Sequence, residues 1–240
     1  MIPLIPPQDA PVCGTDPIFI GCMPRSGSSL LRVMLGSHPN LAADAEIGWV
    51  SSKRPKLKLY NSYVRVTGGG FRRYINKEPK IISPQGLGIL RRDIGDLYLI
   101  IIRRRSVDIL ASYIKTSHLF HGQNMMGVFA NDAADYIKGR RILSQFKWPV
   151  LEVNYESLVE NAAETIATVC SFLNIQFARG MLHHEKYKHN RSQHPSDVAT
   201  RKPIFKSSIN QANTVFAKHD YKPSVKVTKI CEKLDKIHGY

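Results

Sequence analysis

Cysteine is scarce in this chain: four residues in 240, Cys13, Cys22, Cys170 and Cys231, far apart and with no CxxC pair. That spacing excludes a disulfide framework and a thiolate zinc site, and it suits a reducing compartment, so the cytoplasm is the expected location. Long apolar runs are missing too. None reaches the ~18 to 20 residues that a membrane span requires. The first residues, Met1 to Pro7, carry no basic cluster and are interrupted by prolines, so no signal peptide is expected there. Internal repeats, low-complexity tracts and an interdomain linker are also lacking. One domain over residues 1–240 is the expectation, with 1–16 as a lead-in segment. Acidic residues are in short supply, 19 Asp and Glu against 34 Lys and Arg, for a formal charge of +15. A balance this basic calls for an anionic partner: nucleic acid, a lipid surface, a phosphorylated nucleotide or an acidic substrate.

What the chain does contain is a set of short β-branched runs. Ile18–Cys22, Tyr98–Ile102 and Val150–Val153 read as buried parallel strands, and Lys80–Ile82 as a weaker fourth. Helical patterns lie between and after them, at Ser29–Ser37, Ser106–Ser117, Asp132–Phe146 and Ala162–Leu173. Strands alternating with helices predict an α/β fold with a central parallel sheet covered by helices on both faces. In that architecture ligands gather at the carboxyl ends of the strands.

Two post-strand segments stand out. Gly21-Cys22-Met23-Pro24-Arg25-Ser26-Gly27-Ser28-Ser29 opens directly into a helix. Small residues let backbone amides turn inward, and the helix N-terminus adds partial positive charge, which together favour an anion. The GxxxxGK[ST] loop of nucleotide triphosphatases does not fit: five residues separate the glycines and Ser28 stands in the lysine position. A plain tight turn capped by Gly and Ser is the competing reading. After the second strand, Arg103-Arg104-Arg105 is followed by a helix that carries Ser112 two turns in. Paired with the first loop, this arrangement favours a ligand with two anionic ends over a solvated basic corner.

Four segments together resemble the sulfotransferases that use 3′-phosphoadenylyl sulfate (PAPS). Pro24-Arg25-Ser26-Gly27-Ser28-Ser29-Leu30 is similar to that family's 5′-phosphosulfate loop, and Ile102 to Tyr113 to its 3′-phosphate motif. Tyr155-Glu156-x-Leu158-Val159 with Phe172-Leu173 matches a third segment, and Ile237-His238-Gly239-Tyr240 the usual C-terminus. Within the family the pattern is most like the tyrosylprotein sulfotransferases, through Met34-Leu35-x-x-His38-Pro39, Glu46 and Leu182-His183-His184-Glu185. The resemblance implies a sulfotransferase-type, P-loop-like nucleotide fold and no metal. It places Glu46 on the general base, Lys77 and Ser196 on the residues that stabilise the transition state, and Arg25 beside them. Donor contacts are implied for Arg25, Ser26, Gly27, Ser28, Ser29, Arg104, Ser112 and Tyr155, and for Arg201 and Lys202 in a loop closing over the nucleotide. The sequence departs from the family at Thr116, where an arginine is expected, and at Gln211 and Ala212, where a basic residue and a tryptophan are expected.

The expected activity is therefore transfer of a sulfuryl group from PAPS to an acceptor hydroxyl, with a protein tyrosine in an acidic peptide as one acceptor. A carbohydrate or other small alcohol is the alternative, and a second copy of the chain is a candidate partner. A carboxylate is a weak base against a phenol of reference pKa ~10, so the proton would leave late. A non-enzymatic nucleic-acid or polyanion binder would also use the +15 charge, but interleaved aromatics and RNA- or DNA-binding motifs are lacking, and no nucleic-acid partner is expected. His183, His184, His189 and His194 do not make an HExxH zinc signature, because Lys188 follows where the second histidine is needed, and they read mostly as surface residues or as residues standing behind a site. Lys53 to Lys58 is a basic run that could face solvent or an acidic acceptor. Trp49 and Trp148 read as packing residues.

Overall fold

The computed structural model describes residues 12–68, 70, 72–116, 124–187 and 210–240. Strands β1 (Ile18–Cys22), β2 (Leu41–Ala43), β3 (Arg73–Lys77), β4 (Tyr98–Arg103) and β5 (Val150–Asn154) form one parallel sheet in the order β2-β3-β1-β4-β5. The helices are α1 (Ser28–Leu35), α2 (Pro55–Thr67), α3 (Pro84–Asp93), α4 (Ser106–Lys115), α5 (Met125–Ile142), α6 (Tyr155–Glu160), α7 (Ala162–Phe172), α8 (Ala212–Lys218) and α9 (Val225–His238).

Period-2 alternation divides the core into two layers. Phe19, Tyr74, Leu99 and Ile101 face one side, where they meet residues of α2, α3, α4, α5 and α9. Ile18, Ile20, Cys22, Ile75, Ile100 and Ile102 face the other, against Leu31, Met34 and Leu35 of α1 and Ile166 and Val169 of α7. Both faces of the sheet are therefore dry, which is why β1 and β4 read as unbroken apolar runs.

Strand β1 leads into α1 on one face, and its neighbour β4 leads into α4 on the other. The chain leaves β1 towards β2 and leaves β4 towards β5, in opposite directions along the sheet. The topological switch point thus lies between the carboxyl ends of β1 and β4, where open α/β sheets form their ligand crevice.

Two expectations about strands are corrected. Lys80–Ile82 belongs to a 3₁₀ turn, Pro79–Ile82, not to the sheet. Pro79 has no N–H to give to a ladder and holds φ near its fixed value. Ile81 and Ile82 are apolar because they fill the core against Gly21, where an added Cβ would lie 2.6 Å from Ile82. The strand of this region is β3, seven residues earlier, whose polar Arg-Tyr-Ile-Asn-Lys sequence hides its burial. Strand β5 is not buried throughout, because it is the sheet edge: Val150 is exposed and only Val153 is fully covered. The helix expected at Asp132–Phe146 begins earlier, at Met125, where Asn124 caps it by accepting from the Gly127 N–H at 3.1 Å. All four cysteines are buried and free. Among the described residues no helix is long and apolar enough to cross a membrane.

Candidate functional site

The loop from Met23 to Gly27 is shaped by two left-handed residues, Arg25 at φ 72° and Gly27 at φ 94°. Ser26 is fully buried, and both its N–H (3.2 Å) and its hydroxyl (2.7 Å) donate to the Met23 carbonyl. Ser28 accepts from the Cys22 thiol at 3.1 Å. These two serine hydroxyls brace the loop from inside. Helix α1 begins immediately, with no side-chain cap and no acidic residue in its first turn. The first N–H groups of a helix have no partner within it and are met by a capping side chain, by water or by a ligand. No side chain covers those donors at Gly27, and the positive end of the dipole faces the same way, a geometry that favours an anion.

Residues from three further segments converge on this loop. Tyr155, the first residue after β5, packs against Gly27 so closely that a Cβ there would lie 2.2 Å from the ring. The Arg104 guanidinium, just after β4, sits 4.5 Å from the Tyr155 ring centroid and donates to the Arg25 carbonyl at 3.0 Å. Arg25 in turn donates through Nε to the Ser112 hydroxyl of α4 at 3.0 Å. Burial draws the Arg25 pKa below its ordinary value, the Arg104 charge draws it further, and Tyr113 and Glu46 oppose them. Two guanidiniums are thus held together beside an uncapped helix N-terminus, an arrangement whose mutual repulsion an anion relieves. Ser112, expected to face the same anion as Arg104, is linked to the first loop through this Arg25 contact.

Arg104 is fixed from behind by the C-terminal helix. Its carbonyl pairs with His238 Nδ1 at 2.9 Å, while His238 Nε2 lies 3.3 Å from the Tyr136 hydroxyl. Burial, the largest influence, pulls the His238 pKa down to about 4, so the ring is neutral and its Nδ1–H donates to Arg104. Two residues on, Ser106 donates through both its N–H and its hydroxyl to Asp235 of α9, each at 2.8 Å. Tyr240 donates to Glu156, which also accepts from the Arg105 N–H at 3.1 Å. The closing Ile-His-Gly-Tyr segment therefore supports the arginine-bearing loop, a role that the sequence pattern alone did not assign.

A second group lies on the same edge of the sheet. Lys77 ends β3, with Cα partner Ile20 in β1, and its side chain is almost fully buried. Glu46 stands three residues after β2 and is 37% exposed, and the two form an ion pair. Lys77 therefore lies at the carboxyl edge of the sheet, inside β3 rather than ahead of the strand once expected at Lys80. Glu78 follows and is also buried. Burial first, then the Glu46 charge, pushes its carboxyl up to about 7, against the pull of Lys77 and the backbone N–H groups of Gly48 and Trp49.

The remaining sequence-predicted residues fall as follows. Ser29 is buried in the first turn of α1. Ser196, Arg201 and Lys202 lie outside the described residues, as do His189 and His194. His183 is exposed and His184 is fully buried, in the 3₁₀ segment Arg179–Lys186, which kinks at His183. The Thr116 hydroxyl donates to the Ser112 carbonyl at 2.8 Å, closing the end of α4. The Ala212 N–H donates to Asp108 at 3.1 Å. Lys53, Arg54, Lys56 and Lys58 are exposed around the start of α2. Trp49 is fully buried and Trp148 stacks on Phe146, so both pack. Among the described residues no group of three or more His, Cys, Asp or Glu side chains could hold a metal ion.

Residues 17–59, which carry the loop, α1 and Glu46, match the model of the Sulfotransferase family. The sulfotransferase domain from the curacin biosynthetic pathway superposes with a TM-score of 0.71 at 17% identity, covering 94% of this chain and 98% of its own. The fold is that of the sulfotransferases. The sulfotransferase domain of the Synechococcus PCC 7002 olefin synthase gives 0.69 at 17% identity, over 98% and 97% of the two chains. Mouse sulfotransferase SULT7A1, solved as a complex with PAP (adenosine 3′,5′-bisphosphate), gives 0.57 at 12% identity, over 94% and 89%. By sequence, a Caenorhabditis briggsae protein named "Putative protein-tyrosine sulfotransferase" is 23% identical over 199 residues, 70% of this chain and 69% of that protein. In this sulfotransferase fold, the loop after β1 and the arginines after β4 occupy the switch-point crevice.

Proposed function

We propose that this protein transfers a sulfuryl group from PAPS to an acceptor hydroxyl. The observation that carries the reading is the Tyr155–Arg104–Arg25–Ser112 chain of contacts around the uncapped start of α1, at the switch point of a sulfotransferase fold. The residues present fit such a donor. Arg25 and the first N–H groups of α1 suit the 5′-side anion, and Arg104, held against the Tyr155 ring, suits a second phosphate.

The donor supplies an activated sulfuryl group on a good leaving phosphate. Arg25 and the N-terminal amides hold fixed positive charge where the leaving oxygen becomes more negative, which lowers the barrier without reorganisation. Lys77 adds a buried cation on the same edge. Glu46, the more exposed member of its pair, takes the acceptor proton at a carboxylate oxygen as the new S–O bond forms. Ser196, Arg201 and Lys202 are carried over by resemblance alone, as further contacts. No step calls for a metal ion.

A protein tyrosine is the first acceptor reading, supported by the name of the Caenorhabditis briggsae relative and by the Glu46–Lys77 pair. The alternative acceptor is a small alcohol or carbohydrate, which the same donor site would serve. Calorimetry in excess EDTA tests the donor assignment: PAP binds, adenosine 5′-phosphate binds more weakly, and Arg104→Ala removes that difference. Equal affinity of the two nucleotides for the unmodified protein would overturn the role of Arg104. Radiolabelled PAPS offered with a tyrosine peptide and with simple alcohols separates the acceptors.

A further inference from the structure

Glu46 lies in a stretch, residues 44–49, that carries no regular secondary structure, so neither a ladder nor a helix fixes its place. Side chains on either side of it do. Two residues before it, Asp44 is almost fully buried and accepts from the Ala45 N–H at 2.8 Å, from the Ser62 hydroxyl of α2 and from the Arg65 guanidinium. The Asp44 carbonyl accepts from the buried Arg32 of α1 at 3.0 Å. Three residues after it, the fully buried Trp49 meets Phe19 edge-on and donates its indole N–H to Asn76 Oδ1 at 2.8 Å. The two anchors are joined through β3. Asn76 Nδ2 donates to the Tyr74 hydroxyl at 3.1 Å, and Tyr74 pairs with Ser62.

Every link in this chain has one polarity. An indole N–H can only donate, and Asp44, ion-paired with Arg65, only accepts. Burial holds the Tyr74 phenol well above its ordinary range, so it keeps the proton that it shares with Ser62. Donors therefore run head to tail from Trp49 through Asn76, Tyr74 and Ser62 to Asp44, and all five side chains are buried. Stability alone does not call for this, because apolar groups of the same shape fill a core about as well. What the polar links add is a single fixed arrangement. The chain closes around Glu46, and Asn76 is also the residue before Lys77, so both members of the ion pair hang from it. We infer that Asp44, Ser62, Tyr74, Asn76 and Trp49 are positioning residues whose hydrogen-bond chain holds the Glu46 carboxylate where it takes the acceptor proton. The inference rests on the proposed role of Glu46 as the base. A reacting group misplaced by about 1 Å can lose roughly 10²-fold in rate, which is the scale of what the chain secures.

The test uses Trp49→Phe and Tyr74→Phe, each of which removes one neutral donor and leaves the charges around Glu46 unchanged. Tyr74→Phe keeps the core filled and decides the matter if Trp49→Phe does not fold. Both should leave PAP affinity unchanged and lower the single-turnover rate, by about 10- to 100-fold for Trp49→Phe. Placed in Glu46→Gln, neither should slow the residual rate further, because the group being positioned is already gone. The same fold loss in both backgrounds, a PAP affinity that falls as far as the rate, or unimpaired rates in both variants overturns the inference. Amide hydrogen exchange of residues 46–48, measured without donor or acceptor, separates this from failure of the sulfotransferase reading. Exchange should quicken about tenfold in Trp49→Phe. Unchanged exchange shows that the chain does not hold the segment and overturns the inference, whether or not any acceptor is sulfated.

Discussion

Replacing Gly27 with alanine probes the junction of loop, helix and Tyr155. Gly27 has φ 94°, so any Cβ there carries the left-handed penalty of about 1–2 kcal/mol. The new methyl would also lie 2.2 Å and 2.4 Å from two carbons of the Tyr155 ring, far inside contact distance. The ring is buried and cannot yield without repacking, an overpacking cost of about 1–3 kcal/mol. Moving it also separates the face on which Arg104 rests, about 0.5–2 kcal/mol. Gly27→Ala should therefore lose about 3–5 kcal/mol, because the contributions overlap. Gly95→Ala is the control: φ is 81° but nothing lies within 4 Å of the added Cβ, so only the backbone penalty of about 1–2 kcal/mol applies. Urea unfolding of both variants gives the two costs, and calorimetry with PAP gives the functional one. Gly95→Ala should bind PAP normally and Gly27→Ala at least about tenfold more weakly, as 1.4 kcal/mol of lost positioning implies. Equal unfolding costs, or unimpaired PAP binding by Gly27→Ala, would refute the claim that the Gly27–Tyr155 approach builds the nucleotide cradle.

Chemistry and binding should separate at the Glu46–Lys77 pair. Glu46→Gln keeps PAP affinity while turnover falls roughly 10²–10⁴-fold, and near-normal turnover with every hydroxyl acceptor would remove Glu46 from the mechanism. Lys77→Ala should likewise lower turnover more than PAP affinity; an equal loss in both would make Lys77 a binding residue only. His238 gives the fold an acid sensitivity. Its pKa is about 4 when folded against an ordinary 6.5, so the unfolded chain binds the extra proton between those values and stability falls as the pH drops through that window. The gap corresponds to about 3 kcal/mol at full expression. Urea midpoints at pH 7 and pH 4.5 should fall further apart in the unmodified protein than in His238→Gln, and identical pH dependence would show that the ring is not held neutral.

Local chemistry was enough to reveal β1 and β4, because strands buried on both faces leave no polar residue to disguise them. The junction at Pro-Arg-Ser-Gly-Ser-Ser was equally legible: small residues after an apolar strand mark a tight turn into a helix before any neighbour is known. Strand β3 was not, because Tyr74, Asn76 and Lys77 owe their burial to partners far away in sequence, Asn76 to Trp49 and Lys77 to Glu46. Ile81 and Ile82 misled for the converse reason, since an apolar pair says that it is buried but not whether a ladder or a 3₁₀ turn buries it.

The residue types of the site were thus set by the sequence alone, together with the strand ends on which they ride. Their assembly was decided only in three dimensions. The order β2-β3-β1-β4-β5 places Arg104 beside Arg25, 79 residues earlier, and brings His238 behind Arg104 from 134 residues away. Glu78 is the clearest case. One more acid in a basic chain, it has its carboxyl pushed up to about 7 because folding buries it and the Glu46 charge opposes its ionisation.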